Sequence, residues 1–343
     1  MEGLTYSQAG VDRIGREEAK KALRGLEATY SLSRYGQIIA TPFNVLYPIG
    51  NGKYHVKTCD GVGTKVLLAQ LAGKHDTIGT DGIAMVANDC IRCGATPIAL
   101  TDVVDVRKSE EKLLSELQKG LVGGATLAGC PLVGGETADL PEVLSALYHI
   151  NCDCVGEVEA DEIVSGREIT AGDMVLGLRS SGVHSNGISL VRRVLFREWG
   201  GKFDAFAKLD GFEEELVYEV LKPTKIYVKP VLKAMQEHHV LGAVHITGDA
   251  YLKFRRLGHG FVFDNFKPHP IFDLIQRTGN VAGEEMFKTF NMGYGFALVV
   301  GKKEADDVID LLEREREEAE VIGKVGESKE IVVNHGGKKM VLG

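Results

Sequence analysis

No stretch of this 343-residue sequence is both long enough and free enough of charge to cross a bilayer, which takes about 20 apolar residues. The start is equally poor in export signals. Met1-Glu2-Gly3-Leu4-Thr5-Tyr6 leads into the charged Arg16-Glu17-Glu18, with no basic region followed by an apolar core. Both absences predict a cytoplasmic chain. Positive charge is in deficit, the net charge being -8, which argues against a sequence-independent grip on nucleic acid, a task for clustered Lys and Arg, and leaves room only for a small basic pocket. Prolines number only 9, against 42 glycines that fall between apolar runs rather than in a low-complexity tract. Such glycines mark tight turns and close backbone approaches.

Cysteine is also sparse. Six residues, Cys59, Cys90, Cys93, Cys130, Cys152 and Cys154, are expected as thiols in a chain that is not secreted. Cys90-x-x-Cys93 with Cys152-x-Cys154 has the residue types of a zinc cluster. The first pair, however, sits in a helical pattern and the second on one face of a strand, so small buried side chains are the better reading.

The rest is ordinary globular material, with 44% hydrophobic and 26% charged residues in a length that suggests two domains. A helix is predicted over Val11 to Thr29. Alternation of Tyr54, Val56 and Thr58 with Lys53, His55 and Lys57 predicts a strand running into Asp60, followed by the turn Asp60-Gly61-Val62-Gly63-Thr64-Lys65 and a helix over Val66 to Leu71. A helix from Thr80 through Asn88 and Asp89 closes at Gly94. Pro97 to Val104 is a predicted strand, and Ser109 caps a helix reaching Ala128. Gly134-Gly135-Glu136-Thr137-Ala138-Asp139 is read as a second glycine turn, and Tyr148 to Val155 as a strand. The polar turn at Thr170-Ala171-Gly172-Asp173 divides the chain into domains of residues 1–169 and 170–343. The second half opens with the small-residue loop Ser180 to Gly187, running into a helix from Ile188 to Trp199, and carries a charged helix over Glu304 to Glu320. Both halves are mixed α/β.

Each glycine turn follows an apolar strand and sets bare N–H groups beside a carboxylate or hydroxyl. Amides so arranged cradle phosphate oxygens, and the carboxylates suit Mg²⁺. The spacing of a Walker loop is absent, as is a G-x-G-x-x-G opening a helix, which disfavours both common nucleotide folds. One such turn is more often structural than functional. Several bring the two readings level.

Taken in order, Asp60 to Lys65, the Asp81 to Asp89 helix with Gly94-Ala95-Thr96-Pro97, Gly134 to Ala138, Ser180 to Gly187 and His245-Ile246-Thr247-Gly248 resemble the phosphoribosylformylglycinamidine cyclo-ligase family, also called aminoimidazole ribonucleotide synthetases. The resemblance implies an α/β fold of two mixed-sheet domains, with the N-terminal sheets of two subunits forming a barrel across a homodimer. Residues 1–169 would bind ATP and dimerise; residues 170–343 would contribute a substrate loop. The implied reaction, a step of purine biosynthesis, converts formylglycinamidine ribonucleotide and ATP to aminoimidazole ribonucleotide, ADP and phosphate through an iminophosphate. Implied cofactors are ATP and Mg²⁺, with allowance for a monovalent cation. The partners are a second copy and a small ribonucleotide, not nucleic acid or membrane.

Carried over by position, Asp60 and Asp89 match carboxylates near Mg²⁺, with Asp81 and Asp102 as weaker candidates. Lys65 would neutralise phosphate charge, Gly61, Gly63 and Thr64 would contact ATP, and Glu136 and Thr137 would hold metal or nucleotide. Ser181, Gly182, His184, Ser185 and Asn186 would face the substrate, with His184 and Lys65 the catalytic candidates. The other reading of His184 is a packed histidine donating to a carbonyl. No other histidine is given a catalytic role. Asp249-Ala250 and Tyr35-Gly36-Gln37-Ile38-Ile39 depart from the family's glycine-rich segments; Asp249 is expected to adopt a left-handed turn and cap a helix beginning near Tyr251. Selenophosphate synthetases would need a cysteine before Cys59, and thiamine-phosphate kinases lack the His-Ser-Asn-Gly loop. A non-catalytic nucleotide-binding regulator could dispense with that loop altogether.

Overall fold

The computed structural model describes residues 3–12, 15, 18, 19, 22 and 25–343, so part of the helix expected over Val11 to Thr29 lies outside the described residues, and its end falls in a 3₁₀ helix over Leu26–Leu32. The first sheet comprises β1 (Ile39–Ala40), β2 (Val45–Gly50), β3 (Lys53–Gly61), β4 (Thr96–Val106), β5 (Leu132–Asp139) and β6 (Tyr148–Glu159), in the order β1-β2-β3-β6-β4-β5. Only β4 and β5 pair in parallel. Along β6, buried residues alternate with half-buried ones from Tyr148 onward, so one sheet face is packed and the other is open. The packed face receives the helix Ile78–Cys90, whose Val86 carbonyl accepts a hydrogen bond from Thr58 Oγ1 at 2.8 Å.

That helix carries Asp81, Asn88 and Asp89, and its place is set by the helix Glu111–Ala128 lying against it. The two backbones meet through glycine. A Cβ on Gly79 would collide with the Leu121 nitrogen and lie 2.6 Å from the Leu117 carbonyl oxygen. Gly79→Val is therefore expected to destabilise the chain by about 1–3 kcal/mol, the usual cost of overpacking. An unchanged urea midpoint would show that the helices separate freely.

The second sheet holds β7 (Met174–Arg179), β8 (Val240–His245), β9 (Gly260–Phe263), β10 (Tyr294–Val300), β11 (Ala319–Gly326), β12 (Ile331–His335) and β13 (Lys338–Leu342), in the order β13-β12-β9-β11-β7-β10-β8. It too is mixed, β9 and β12 being parallel. Every residue of β10 is buried. Both halves are thus mixed α/β, as their sequence pattern predicts. No described helix is long and apolar enough to cross a membrane. All six cysteines are free thiols, with only Cys59 exposed.

Four local expectations are corrected. Gly134 to Asp139 is not a turn but part of β5, an exposed edge strand whose Gly135 pairs with Asp102. The glycine there makes room: a Cβ on Gly135 would lie 2.7 Å from Asp102 Oδ1. Ser109 does not cap the helix Glu111–Ala128; its hydroxyl donates to Asp139 at 3.0 Å, and Glu110 occupies the cap position. The helix from Ile188 stops at Leu195, and a 3₁₀ turn covers Arg197–Trp199. The charged helix runs only over Ala305–Arg314, because Ala319 already pairs with Leu178 in β7 and Arg316 turns the chain through the left-handed region at φ 62°.

Candidate active site

The Asp60–Lys65 turn, the helix carrying Asp81 and Asp89, the loop of residues 180–187 and His245 are brought together from both halves of the chain. Asp60 is the penultimate residue of β3, and the Gly61 N–H donates to its Oδ1 at 2.8 Å. Burial pushes the Asp60 pKa up and the Asp89 charge adds to this, against the Gly61 N–H, Lys253 and Arg92. Asp89, at the far end of the helix Ile78–Cys90, pairs with Arg92 at 3.0 Å and with His245 Nδ1 at 2.7 Å. Burial works against its charge, but Arg92, the His245 hydrogen bond and Lys253 outweigh it and hold the carboxyl well below the usual carboxylate range.

His245 is the last residue of β8 and is fully buried. A carboxylate can only accept, so Nδ1 carries the proton, and Nε2 faces the Asn88 amide at 3.5 Å as acceptor. The ammonium of Lys253 donates to the His245 carbonyl and to Thr247 Oγ1. Burial lowers its pKa to about 8, with Asp89 opposing. Lys253 also borders a cavity of about 720 Å³ lined by Thr5, Ser7, Asp12, Arg256 and Lys288. His245, Arg92 and Lys253 escaped the sequence reading as site residues. The Asp89-to-Arg92 spacing of one helical turn was the available signal for Arg92.

A second group lies deeper. Lys65 opens the helix Lys65–Ala72 with its ammonium fully buried, donating to Asp81 Oδ1 at 2.9 Å and to the Lys222 carbonyl at 2.7 Å. Burial lowers the Lys65 pKa, and Asp81 pulls it back. Thr64 Oγ1 meets Ser189 Oγ at 3.2 Å, bringing the Gly61–Lys65 turn to the head of the helix Ile188–Leu195. In the loop before that helix, Ser181 Oγ donates to the Pro223 carbonyl at 2.6 Å and Ser185 Oγ to Asp81 at 3.1 Å.

His184 is 1% exposed and left-handed at φ 61°. The Ser181 N–H donates to its Nε2 at 3.2 Å, leaving the proton on Nδ1, for which no described residue supplies an acceptor. Burial, reinforced by the Lys65 charge, pushes its pKa well below the ordinary histidine value, so the ring is neutral at pH 7. The Asn186 amide nitrogen likewise lacks an acceptor among the described residues, and Asn186 Oδ1 lies 3.7 Å from where a Gly248 Cβ would stand.

Glu136 and Thr137 are not brought to this junction. Register runs Asp60 to Cys152, Cys152 to Asp102 and Asp102 to Gly135, placing Glu136 three strands from Asp60, about 14 Å away at the usual strand spacing. Asp249 is left-handed at φ 67° and precedes the 3₁₀ helix Ala250–Leu257, as expected, but its side chain makes no capping bond to that helix.

Residues 44–158 match the family described as AIR synthase related protein, N-terminal domain, and residues 170–336 match the corresponding C-terminal domain. A Methanococcus maripaludis protein named phosphoribosylformylglycinamidine cyclo-ligase is 40% identical over 354 residues, covering 99% of each chain. One of the same name from Methanocaldococcus jannaschii is 41% identical over 360 residues, again covering 99% of each. The chain belongs to the phosphoribosylformylglycinamidine cyclo-ligase family.

The family's fold is shared more widely. E. coli HypE superposes with TM-score 0.63 at 19% identity, covering 84% of this chain and 85% of its own. T. maritima PurL complexed with ATP superposes with TM-score 0.57 at 14% identity, covering 88% of this chain and 44% of that one. In this chain the glycine turn, the Asp89 helix and the small-residue loop come together, although they are spread over both halves of the sequence.

Proposed function

We propose that the chain closes the imidazole ring of aminoimidazole ribonucleotide, using ATP to activate the formyl amide oxygen of formylglycinamidine ribonucleotide. The observation that carries this is 40% identity over 99% of the chain to named cyclo-ligases, in a chain where the glycine turn, the Asp89 helix and the small-residue loop come together. Phosphoryl transfer to the amide oxygen releases ADP and turns a poor leaving group into a good one, giving an iminophosphate. The amidine nitrogen then attacks that carbon, its proton is lost, and phosphate leaves with the former amide oxygen. The protein's part is to hold the reactants together, shield them from water and neutralise phosphate charge.

The donor chemistry at Asp60 fits Mg²⁺. Its charge is disfavoured first by burial and then by the nearby Asp89 carboxylate, and a bound cation would relieve both. Among the described residues no three His, Cys, Asp or Glu side chains are placed to share an ion. That suits a metal held by one or two carboxylates plus nucleotide phosphates. When bound, Mg²⁺ would neutralise charge on the transferring phosphoryl group. Asp60 and Asp89 would hold that ion, Gly61, Gly63 and Thr64 would line the phosphates, and Arg92 and Lys253 would add positive charge. The two donors without acceptors, His184 Nδ1 and Asn186 Nδ2, support a ribonucleotide site at residues 181–187, since an unpaired buried donor costs about 1–3 kcal/mol until a ligand oxygen meets it. The test is to incubate pure protein with Mg·ATP and formylglycinamidine ribonucleotide. Aminoimidazole ribonucleotide, ADP and phosphate should form in equal amounts, and ADP without ring product would overturn the assignment.

We further propose that the chain works as a cytoplasmic homodimer joined through the open face of its first sheet. Val45, Tyr47 and Ile98 are exposed on its strands, and β5 is a bare edge. Light scattering at micromolar concentration should report twice the chain mass, and Tyr47→Asp should shift it toward monomer. A fully active wild-type monomer would sink this reading.

A further inference from the structure

The extended segment Lys222 to Tyr227 belongs to the second half of the chain, yet residues of the first half hold four of its backbone groups. Lys65 Nζ donates to the Lys222 carbonyl at 2.7 Å. Asp81 Oδ1 accepts from the Thr224 N–H at 2.7 Å and the Thr224 hydroxyl at 2.6 Å. Asn88 Nδ2 donates to the Lys225 carbonyl at 2.9 Å, while Asn88 Oδ1 accepts from the Tyr227 N–H at 2.9 Å. Asp81 and Asn88 are seven residues apart on the helix Ile78–Cys90, two turns and about 10.5 Å along one face. Three extended residues from Thr224 to Tyr227 span about 10 Å. The helix is thus a ruler matched to the strap.

The small-residue loop is tied to the same strap, through Ser181 to the Pro223 carbonyl and through Ser185 Oγ to Thr224 Oγ1 at 3.0 Å. We propose that Asp81 and Thr224, with Lys65, form a positioning hub that registers the loop of residues 181–187 against the Asp60–Asp89 site, and that Asp81 is not a metal ligand. Asp81 Oδ1 already accepts four hydrogen bonds, from Lys65, Ser185 and twice from Thr224. Its other oxygen is fully buried and has no hydrogen-bond partner among the described residues, while the Lys65 ammonium 2.9 Å from Oδ1 already supplies the carboxylate's countercharge. This rests on the cyclo-ligase reading of the site. If the wild-type chain does not close the ring, that reading falls; if it does and the variants below behave as wild type, only the hub falls.

Thr224→Val keeps the volume and the backbone N–H but removes the hydroxyl, and Thr224→Ser restores it. Misplacing a reactant by about 1 Å can cost on the order of 100-fold, so Thr224→Val should lower kcat/KM for the ribonucleotide by at least about tenfold. KM for ATP and the Mg²⁺ midpoint should stay within about twofold, and Thr224→Ser should recover to within about threefold. Amide exchange at residues 181–187 should quicken in Thr224→Val, a readout independent of turnover. Asp81→Asn, if it folds, should likewise leave the Mg²⁺ midpoint in place. A melting temperature that falls in Thr224→Val with kcat, KM and loop exchange all unchanged would make the contact merely structural. A Mg²⁺ midpoint raised about tenfold in Asp81→Asn would make Asp81 a metal ligand after all.

Discussion

Lys65→Met is expected to lower the unfolding free energy by about 3–5 kcal/mol, the cost of stripping one partner from a buried ion pair. Both side chains of the Lys65–Asp81 pair are fully buried, so no water replaces the missing ammonium. Three hydrogen-bond donors, two on Thr224 and one on Ser185, remain on the carboxylate and keep the loss from growing further. The Lys222 carbonyl also loses its partner. The double variant Lys65→Met with Asp81→Leu removes both charges and should recover part of the loss, because an apolar pair of similar volume often matches a buried ion pair. Urea unfolding of the two singles and the double closes the cycle. A Lys65→Met chain within about 1 kcal/mol of wild type would mean the pair is already solvated or relaxed in solution.

The same pair shows where sequence reading stops. A lysine after a glycine turn reads as an exposed phosphate ligand, because lysines are rarely buried unless paired. Its partner Asp81 lies 16 residues away on the next helix, and nothing local announces that the two meet. His245 was passed over for the same reason, its hydrogen bond to Asp89 spanning 156 positions. Elements written in local pattern were legible. The alternation of Tyr54, Val56 and Thr58 foretold β3, and the helix through Asn88 and Asp89 appeared within two residues of its expected start. Where long-range pairing decides, local pattern misleads. Gly134-Gly135 looks like a turn and becomes an edge strand by pairing with β4, and the end of the expected charged helix, Ala319 and Glu320, opens β11 by pairing with β7. The motif order located the junction, but the wiring between its residues is tertiary.

That wiring separates Asp60 from Asp89, two carboxylates that sequence treats alike. Asp60→Asn should abolish ring closure and ADP release by on the order of 100-fold or more, the scale for losing a group that stabilises developing charge. Its stability should hold or rise, since burial and Asp89 already disfavour the Asp60 charge and the amide carries none. Asp89→Asn should lose activity comparably and also lose stability. It breaks contacts to Arg92 and His245 that are hydrogen bonds to a charged group, each worth about 1.5–3 kcal/mol, and leaves the Arg92 cation without its carboxylate. Melting curves and Mg²⁺ titrations of turnover on the two variants therefore give different signatures: a stable, inactive Asp60→Asn and an unstable, inactive Asp89→Asn. If Asp60→Asn keeps wild-type turnover and Mg²⁺ dependence, the ion is not held there. If Asp89→Asn instead melts with the wild type, the Arg92–Asp89–His245 chain adds no net stability, and its role is confined to aiming the carboxylate at the nucleotide.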